Sequence, residues 1–214
     1  MMEALLFITP GCPHCPAVLQ ALSEMVKEGI IGKLTAVNAA MHPELVEEYG
    51  VRSAPWIKIG PYTFTGTMSA KELRYWAEDM ENKAAQYVEH LLQQGGYRQA
   101  AAFIAEDTQR LKPLLGLIAN PEARLEVRIG TSALLESYAK KKALQELLPE
   151  LVELTRHQDY RIRADACHLL GLTGSQAART HVELCLRDAN QEVREIAEEA
   201  LAELESANTH DPSI

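Results

Sequence analysis

The sequence predicts two parts: a small α/β unit with a mixed sheet (βαβαββα) over residues 1–82, then an all-α solenoid of stacked helices over 83–205, ending in a polar tail over 206–214. Three observations predict it. Short apolar runs alternate with amphipathic stretches up to about Met80, the strand signal stops beyond about Asn82, and a segment of the helical part recurs along the chain.

Residues 3–9 read as a buried strand, because Leu5-Leu6-Phe7-Ile8 is a short apolar run stopped by Pro10. Residues 12–28 read as a helix, with Val18, Leu19, Leu22, Met25 and Val26 at helical spacing and Gly29 as its stop. A second strand covers 33–38, and a short helix over 43–49 ends at Gly50. Two further strands, 55–59 and 62–65, flank the Gly60-Pro61 turn. Ser69 opens the last helix of this part, with Glu72 three residues on as the partner of a capping box. The set is a complete unit, able to bury its own core.

The composition of 214 residues, 47% of them hydrophobic, is ample for packed cores. A formal net charge of -9, spread along the whole length, argues against nucleic acid as a partner, since phosphate binding needs clustered Lys and Arg. The run at residues 5–8 follows Glu3 and is too short for a signal peptide, and no stretch is long enough to span a bilayer. The expectation is therefore a cytoplasmic protein with no membrane contact. In that compartment a close cysteine pair is redox-active or metal-binding more often than structural.

In the helical part, Asp159, Ile162, Arg163, Ala166 and Leu170 recur as Asn190, Val193, Arg194, Ala197 and Leu201, and a weaker copy begins near Asn120 with Val127-Arg128. These residues resemble short HEAT-like repeats, in which a turn Asp or Asn precedes an aliphatic-Arg pair and an Ala-lined helix. Each unit of that kind leaves an apolar face that only its neighbour covers, which implies a solenoid. Arg128, Arg163 and Arg194 are expected to pair with turn carboxylates or carbonyls, as Asp159, Asp188 or Asn190 offer. The Lys140-Lys141-Lys142 run reads as a solvated turn. Cys167 and Cys185 read as small buried hydrophobes on the inward faces of their helices.

The chemistry concentrates in Cys12-Pro13-His14-Cys15. Cys12 follows the first strand and is placed at the N-terminal end of the first helix, where unpaired N–H groups and the dipole stabilise a thiolate, making it the nucleophile. Cys15 falls one turn deeper on the same face, positioned to resolve a mixed disulfide. Pro13 suits a first-turn position, lacking an N–H to leave unpaired. His14 could add positive charge beside the Cys12 thiolate, stabilising the reduced form and making the disulfide more oxidising. The two cysteines could also be half of a zinc site. Against that, Cys167 and Cys185 do not form a second Cys-x-x-Cys, and His42, His90, His157, His168, His181 and His210 show no metal-ligand spacing, so neither metal nor cofactor is expected.

On these motifs residues 1 to about 80 resemble the thioredoxin superfamily, with Cys12 and Cys15 matching its redox pair and Ala54-Pro55 matching its cis-proline loop. The resemblance implies that this loop faces the cysteines and that the backbone before the proline pairs with an extended substrate peptide. Gly11 stands where thioredoxins carry Trp, and Leu6 where they carry a buried acid. The compact length and Gly11 are similar to glutaredoxin-like or archaeal-type small members. Trp56, directly after Pro55, is expected either to floor a peptide groove or to pack against the helical part. The substrate-binding set is thus Ala54, Pro55, Gly11 and Trp56.

The expected function is exchange of disulfides with protein thiol and disulfide substrates, serviced by an upstream reductase or oxidant, with a protein partner on the helical repeats. The alternative is a redox-sensing interaction adaptor, with the HEAT-like repeats as its main functional element.

Overall fold

The computed structural model describes residues 2–78 and 82–208 and falls into two units, Met1–Lys83 and Ala84–Ile214. In the first, the apolar runs pair as strands β1 (Glu3–Ile8), β2 (Lys33–Asn38), β3 (Trp56–Ile59) and β4 (Tyr62–Thr65), in the order β2-β1-β3-β4. β1 runs parallel to β2 and antiparallel to β3, and β3 and β4 form a hairpin, so the sheet is mixed. β1 is central because it is apolar on both faces. Phe7 packs with Val37 and Trp56 beneath Leu45 and Val46 of helix α2 (Pro43–Glu48). Ala4 and Leu6, opposite Ile59 and Ile57, turn to the other face, where helix α1 (Cys15–Lys27) lies with helix α3 (Ala70–Ala77) beside it.

Local signals set the helix ends. The Ser69 Oγ accepts the Glu72 N–H at 3.2 Å, while the Glu72 carboxylate accepts the Ser69 N–H at 2.7 Å, completing the capping box. α1 stops at Gly29, whose φ of 78° lets its N–H and that of Ile30 reach back to the carbonyls of Val26 and Met25. The start of α1 corrects the expectation of a helix from residue 12. The Cys12 N–H donates to the Thr9 carbonyl at 3.3 Å and Gly11 takes a φ of 78°, so residues 9–12 form a turn. Pro13 therefore precedes the helix, His14 is the N-cap, and Pro16 is the first-turn proline.

The second unit consists, among the described residues, of helices α4 (Ala84–Gln93), α5 (Tyr97–Glu106), a 3₁₀ segment (Thr108–Leu114) leading into α6 (Leu115–Ile118), α7 (Leu125–Glu136), α8 (Lys142–Gln145), α9 (Leu148–Leu154), α10 (Tyr160–Leu172), α11 (Gln176–Cys185) and α12 (Gln191–Asn208). None of these described helices is long and apolar enough to cross a membrane. α12 continues three residues into the segment expected to be a tail, and the rest of that segment, with His210, lies outside the described residues. The repeat positions are the buried ones: Val127, Ile162 and Val193 have no exposed surface, nor do Ala166 and Ala197.

The arginine ladder ties these repeats together. Arg163 donates to both carboxylate oxygens of Asp188 at 2.7 and 2.8 Å and to the carbonyls of His157 and Gln158. Arg194 donates to the carbonyls of Asp188 and Ala189. Arg128 meets Asp165, inside α10, at 2.8 Å. Asp159 is not a rung, for Arg161 claims it and holds its carboxyl down at about 2. Asn190 instead accepts the Glu192 N–H near the start of α12. The lysine run forms the turn between α7 and α8, with Lys140 at a φ of 60° pairing with Glu203, and Lys141 bonded to the Ser137 carbonyl.

Two glycines mark close helix approaches with different consequences. A Cβ at Gly171 would lie 2.7 Å from the Cβ and 2.8 Å from the Cα of Ala200, so α10 and α12 meet almost at the backbone. A Cβ at Gly130 would strike the Leu92 side chain, whose tip can rotate away. Alanine gains about 1 kcal/mol over glycine in a helix, whereas overpacking against fixed atoms costs about 1–3 kcal/mol, with valine costing more than alanine. Gly171→Val is thus expected to lower the urea midpoint of the helical unit by that larger cost, while Gly130→Ala leaves it nearly unchanged. Equal midpoints for the two variants would refute the backbone-contact reading.

Candidate active site

Strand register brings the two loops of the site together. Phe7 pairs with Trp56, so the loop entering β3 lies beside the loop leaving β1. The Gly66 N–H donates to the Pro55 carbonyl at 2.9 Å, pinning the β3 entry to the chain leaving β4. The Ala54–Pro55 peptide is cis, and the Ala54 carbonyl oxygen lies 3.8 Å from the Cys12 Sγ.

Cys12 and Cys15 are joined as a disulfide, with their α-carbons 5.6 Å apart. Cys12 is half-buried and Cys15 is almost entirely covered, so only the first sulfur is open to approach. The Cys15 N–H, the first of α1, points at the Cys12 Sγ from 3.1 Å. Because the helix begins at Cys15 and not at Cys12, the outer cysteine sits just ahead of the helix, in line with its positive end. Gly11, Pro13 and His14 are exposed around it, and the His14 side chain makes no capping bond. Leu6 is fully buried, so hydrocarbon stands at the position where thioredoxins place an acid.

Six of the eight expected site residues thus gather around the disulfide: Gly11, Cys12, Pro13, His14, Cys15 and Ala54; Pro55 is buried immediately behind Ala54. Trp56 is the correction. The residue is 7% exposed, and its ring packs edge-on against Phe7 at 5.5 Å and Tyr49 at 5.9 Å. Paired with Phe7, it points to the α2 face and belongs to the core, not to the floor of a peptide groove. Sequence reasoning passed over Thr9 and Gly66, whose backbone groups fix the two loops; Gly66, at the end of an alternating strand, was the readable signal. Among the described residues no three His, Cys, Asp or Glu side chains converge as a metal site.

The comparisons with known proteins agree with this geometry. A family model described as a thioredoxin domain matches residues 2–78, and one described as HEAT repeats matches residues 111–202. A thioredoxin from Methanocaldococcus jannaschii is 33% identical over 70 residues, which make up 32% of this chain and 82% of that protein. With the redox-type cysteine pair, the facing cis-proline loop and the mixed sheet all in place, the chain belongs to the thioredoxin family and carries HEAT repeats in its helical unit.

Proposed function

We propose that the protein is a thiol–disulfide oxidoreductase acting on protein disulfides. The observation that carries this is the placing of the Cys12 Sγ, 3.1 Å from the first N–H of α1 and 3.8 Å from the Ala54 carbonyl, with Cys15 covered behind it. Once the disulfide is reduced, the N–H and the helix dipole favour the Cys12 thiolate. That thiolate attacks one sulfur of a substrate disulfide, and the other substrate sulfur leaves and takes up a proton. Cys15 then gives up its proton and attacks the Cys12 sulfur of the mixed disulfide, releasing the second substrate thiol and restoring the Cys12–Cys15 bond. A protein reductase returns the pair to the dithiol, and the same steps reversed oxidise a dithiol substrate.

The half-buried Ala54, ahead of Pro55, suits backbone pairing with an extended substrate peptide beside Cys12, and Gly11 leaves open space at its own position. Pro13 and His14 form the exposed rim of the pair, and His14 when protonated stabilises the neighbouring thiolate. The HEAT repeats are proposed to hold the protein partner. The proposed compartment is the cytoplasm, since four cysteines in 214 residues lack the disulfide density of small secreted domains.

Cys15→Ser tests the assignment. Presented with a disulfide-bonded protein, the variant is expected to stop at a covalent mixed disulfide on Cys12, visible by non-reducing electrophoresis and released by dithiothreitol. Absence of any adduct, or an adduct on another cysteine, would overturn it.

A further inference from the structure

The other two cysteines of the chain, Cys167 and Cys185, are free and buried. α10 and α11 are consecutive helices joined through Thr173, Gly174 and Ser175, and they pack on one another. Cys167 lies seven residues before Gly174 and Cys185 eleven after it. At about 1.5 Å of rise per residue the two α-carbons therefore differ by roughly one turn in their distance from the bend. The side chains close that stagger. A Cα–Cβ bond leans toward the N-terminus of its helix, which is away from the bend in α10 and toward it in α11. The two buried thiols are thereby brought to the same α10–α11 contact, close enough for each to act on the other's ionisation, and the Cys185 thiol donates to the His181 carbonyl at 3.4 Å.

The pair is asymmetric. Cys167 has no exposed surface, whereas Cys185 retains 6% at the end of α11. The neighbouring Cys167 favours the Cys185 thiolate, with burial and the nearby Asp188 opposing it and Arg163 assisting. Cys185 and burial push the Cys167 thiol up. Cys185, with exposed surface at the end of α11, is thus the thiol that a reagent reaches first, and Cys167 lies covered behind it.

We propose that Cys167 and Cys185 form a second thiol–disulfide couple, within the HEAT repeats, in which Cys185 is the entry thiol and a low-molecular-weight disulfide is the oxidant. The Cys185 thiolate attacks one sulfur of the oxidant, RSSR, forming a mixed disulfide and releasing RS⁻. Cys167 then loses its proton and attacks the Cys185 sulfur, expelling the second RS⁻ and closing the Cys167–Cys185 bond. Two protein protons end on two RSH, and the two electrons lost by the protein reduce RSSR. The product is a covalent clamp between the two helices of one repeat.

The test uses the full chain carrying Cys12→Ser and Cys15→Ser, so that its outcome does not depend on the active-site reading. The folded protein is equilibrated with oxidised glutathione, its remaining thiols are alkylated, and it is digested with trypsin, which cuts at Arg179 between the two cysteines. Both thiols are expected to be lost together, yielding one cross-linked peptide pair, and further substitution Cys167→Ser is expected to leave a single glutathione on Cys185. Should the double-serine variant not fold, the same cross-linked pair is sought in the wild-type chain. Two thiols that stay free until urea unfolds the protein, or a glutathione adduct that persists on Cys185 despite Cys167, would overturn the proposal.

Discussion

Cys12→Ser is expected to abolish disulfide exchange, lowering the rate of protein disulfide reduction by on the order of a thousand-fold or more. The substitution keeps the place of the side chain and removes only the proposed nucleophile, because a serine hydroxyl stays protonated where a thiol ionises. The Cys15 N–H and the end of α1 remain aimed at that position, but have no thiolate to stabilise. Cys15 cannot substitute, being covered where Cys12 is half-open. The two single variants therefore fail differently: Cys12→Ser forms no adduct with substrate, while Cys15→Ser forms one and does not turn over. A steady-state assay coupled to dithiothreitol reads both, and activity of Cys12→Ser within tenfold of wild type would remove Cys12 from the reaction.

Arg163→Ala is expected to destabilise the helical unit by about 3 kcal/mol. The guanidinium makes two bonds to Asp188 and two to carbonyls, and the two side chains are only 15% and 12% exposed. Removing it strands a mostly buried carboxylate and two acceptors at once, which places the loss at the low end of the range for breaking a buried pair. The effect carries its own pH signature. Arg163 holds the Asp188 carboxyl below the usual carboxylate range. A carboxyl depressed in the folded state contributes stability above its unfolded value, near 3.9. That contribution is lost as the pH falls through the folded value. Wild type should therefore lose stability below about pH 4, and Arg163→Ala should lose less, so the two curves converge in acid. Both tryptophans, Trp56 and Trp76, lie in the first unit, so the unfolding must be followed by far-ultraviolet circular dichroism. A neutral-pH difference under about 0.5 kcal/mol would place Arg163 among ordinary surface residues.

Where local chemistry decides the backbone, the sequence was readable. Strands at Lys33–Asn38 and Tyr62–Thr65 fall where apolar runs end at turn residues, and the Ser69–Glu72 box forms because both partners are three residues apart. The cysteine pair and its facing loop were legible for a similar reason, since motif and proline each sit at the edge of a recognisable strand. The side taken by Trp56 is not legible in this way, because it depends on the pairing with Phe7, and register follows from strands distant in the chain. The first turn of α1 is likewise set from outside the helical pattern, since a Thr9 carbonyl and a glycine ahead of the helix decide where it begins. The ladder was half legible: the arginines recur visibly, but the partner of Arg128 sits within a helix, not in a turn. The meeting of Cys167 with Cys185 depends on how two helices lean toward their common bend, which no single-helix pattern records.

The order β2-β1-β3-β4 has a consequence for the protein as it is made. The central strand is synthesised first, and its neighbours arrive only with residues 33–38 and 56–59. On the ribosome β1 therefore emerges as an unpaired apolar segment and must wait for most of its unit before it can be covered. The helices that follow add to adjacent helices as they appear, with shorter loops to close. Cys12 shares the delay of β1. Until the loop bearing Ala54 has been translated and drawn alongside, Cys12 has the start of α1 beside it but lacks the carbonyl neighbour that the finished sheet supplies.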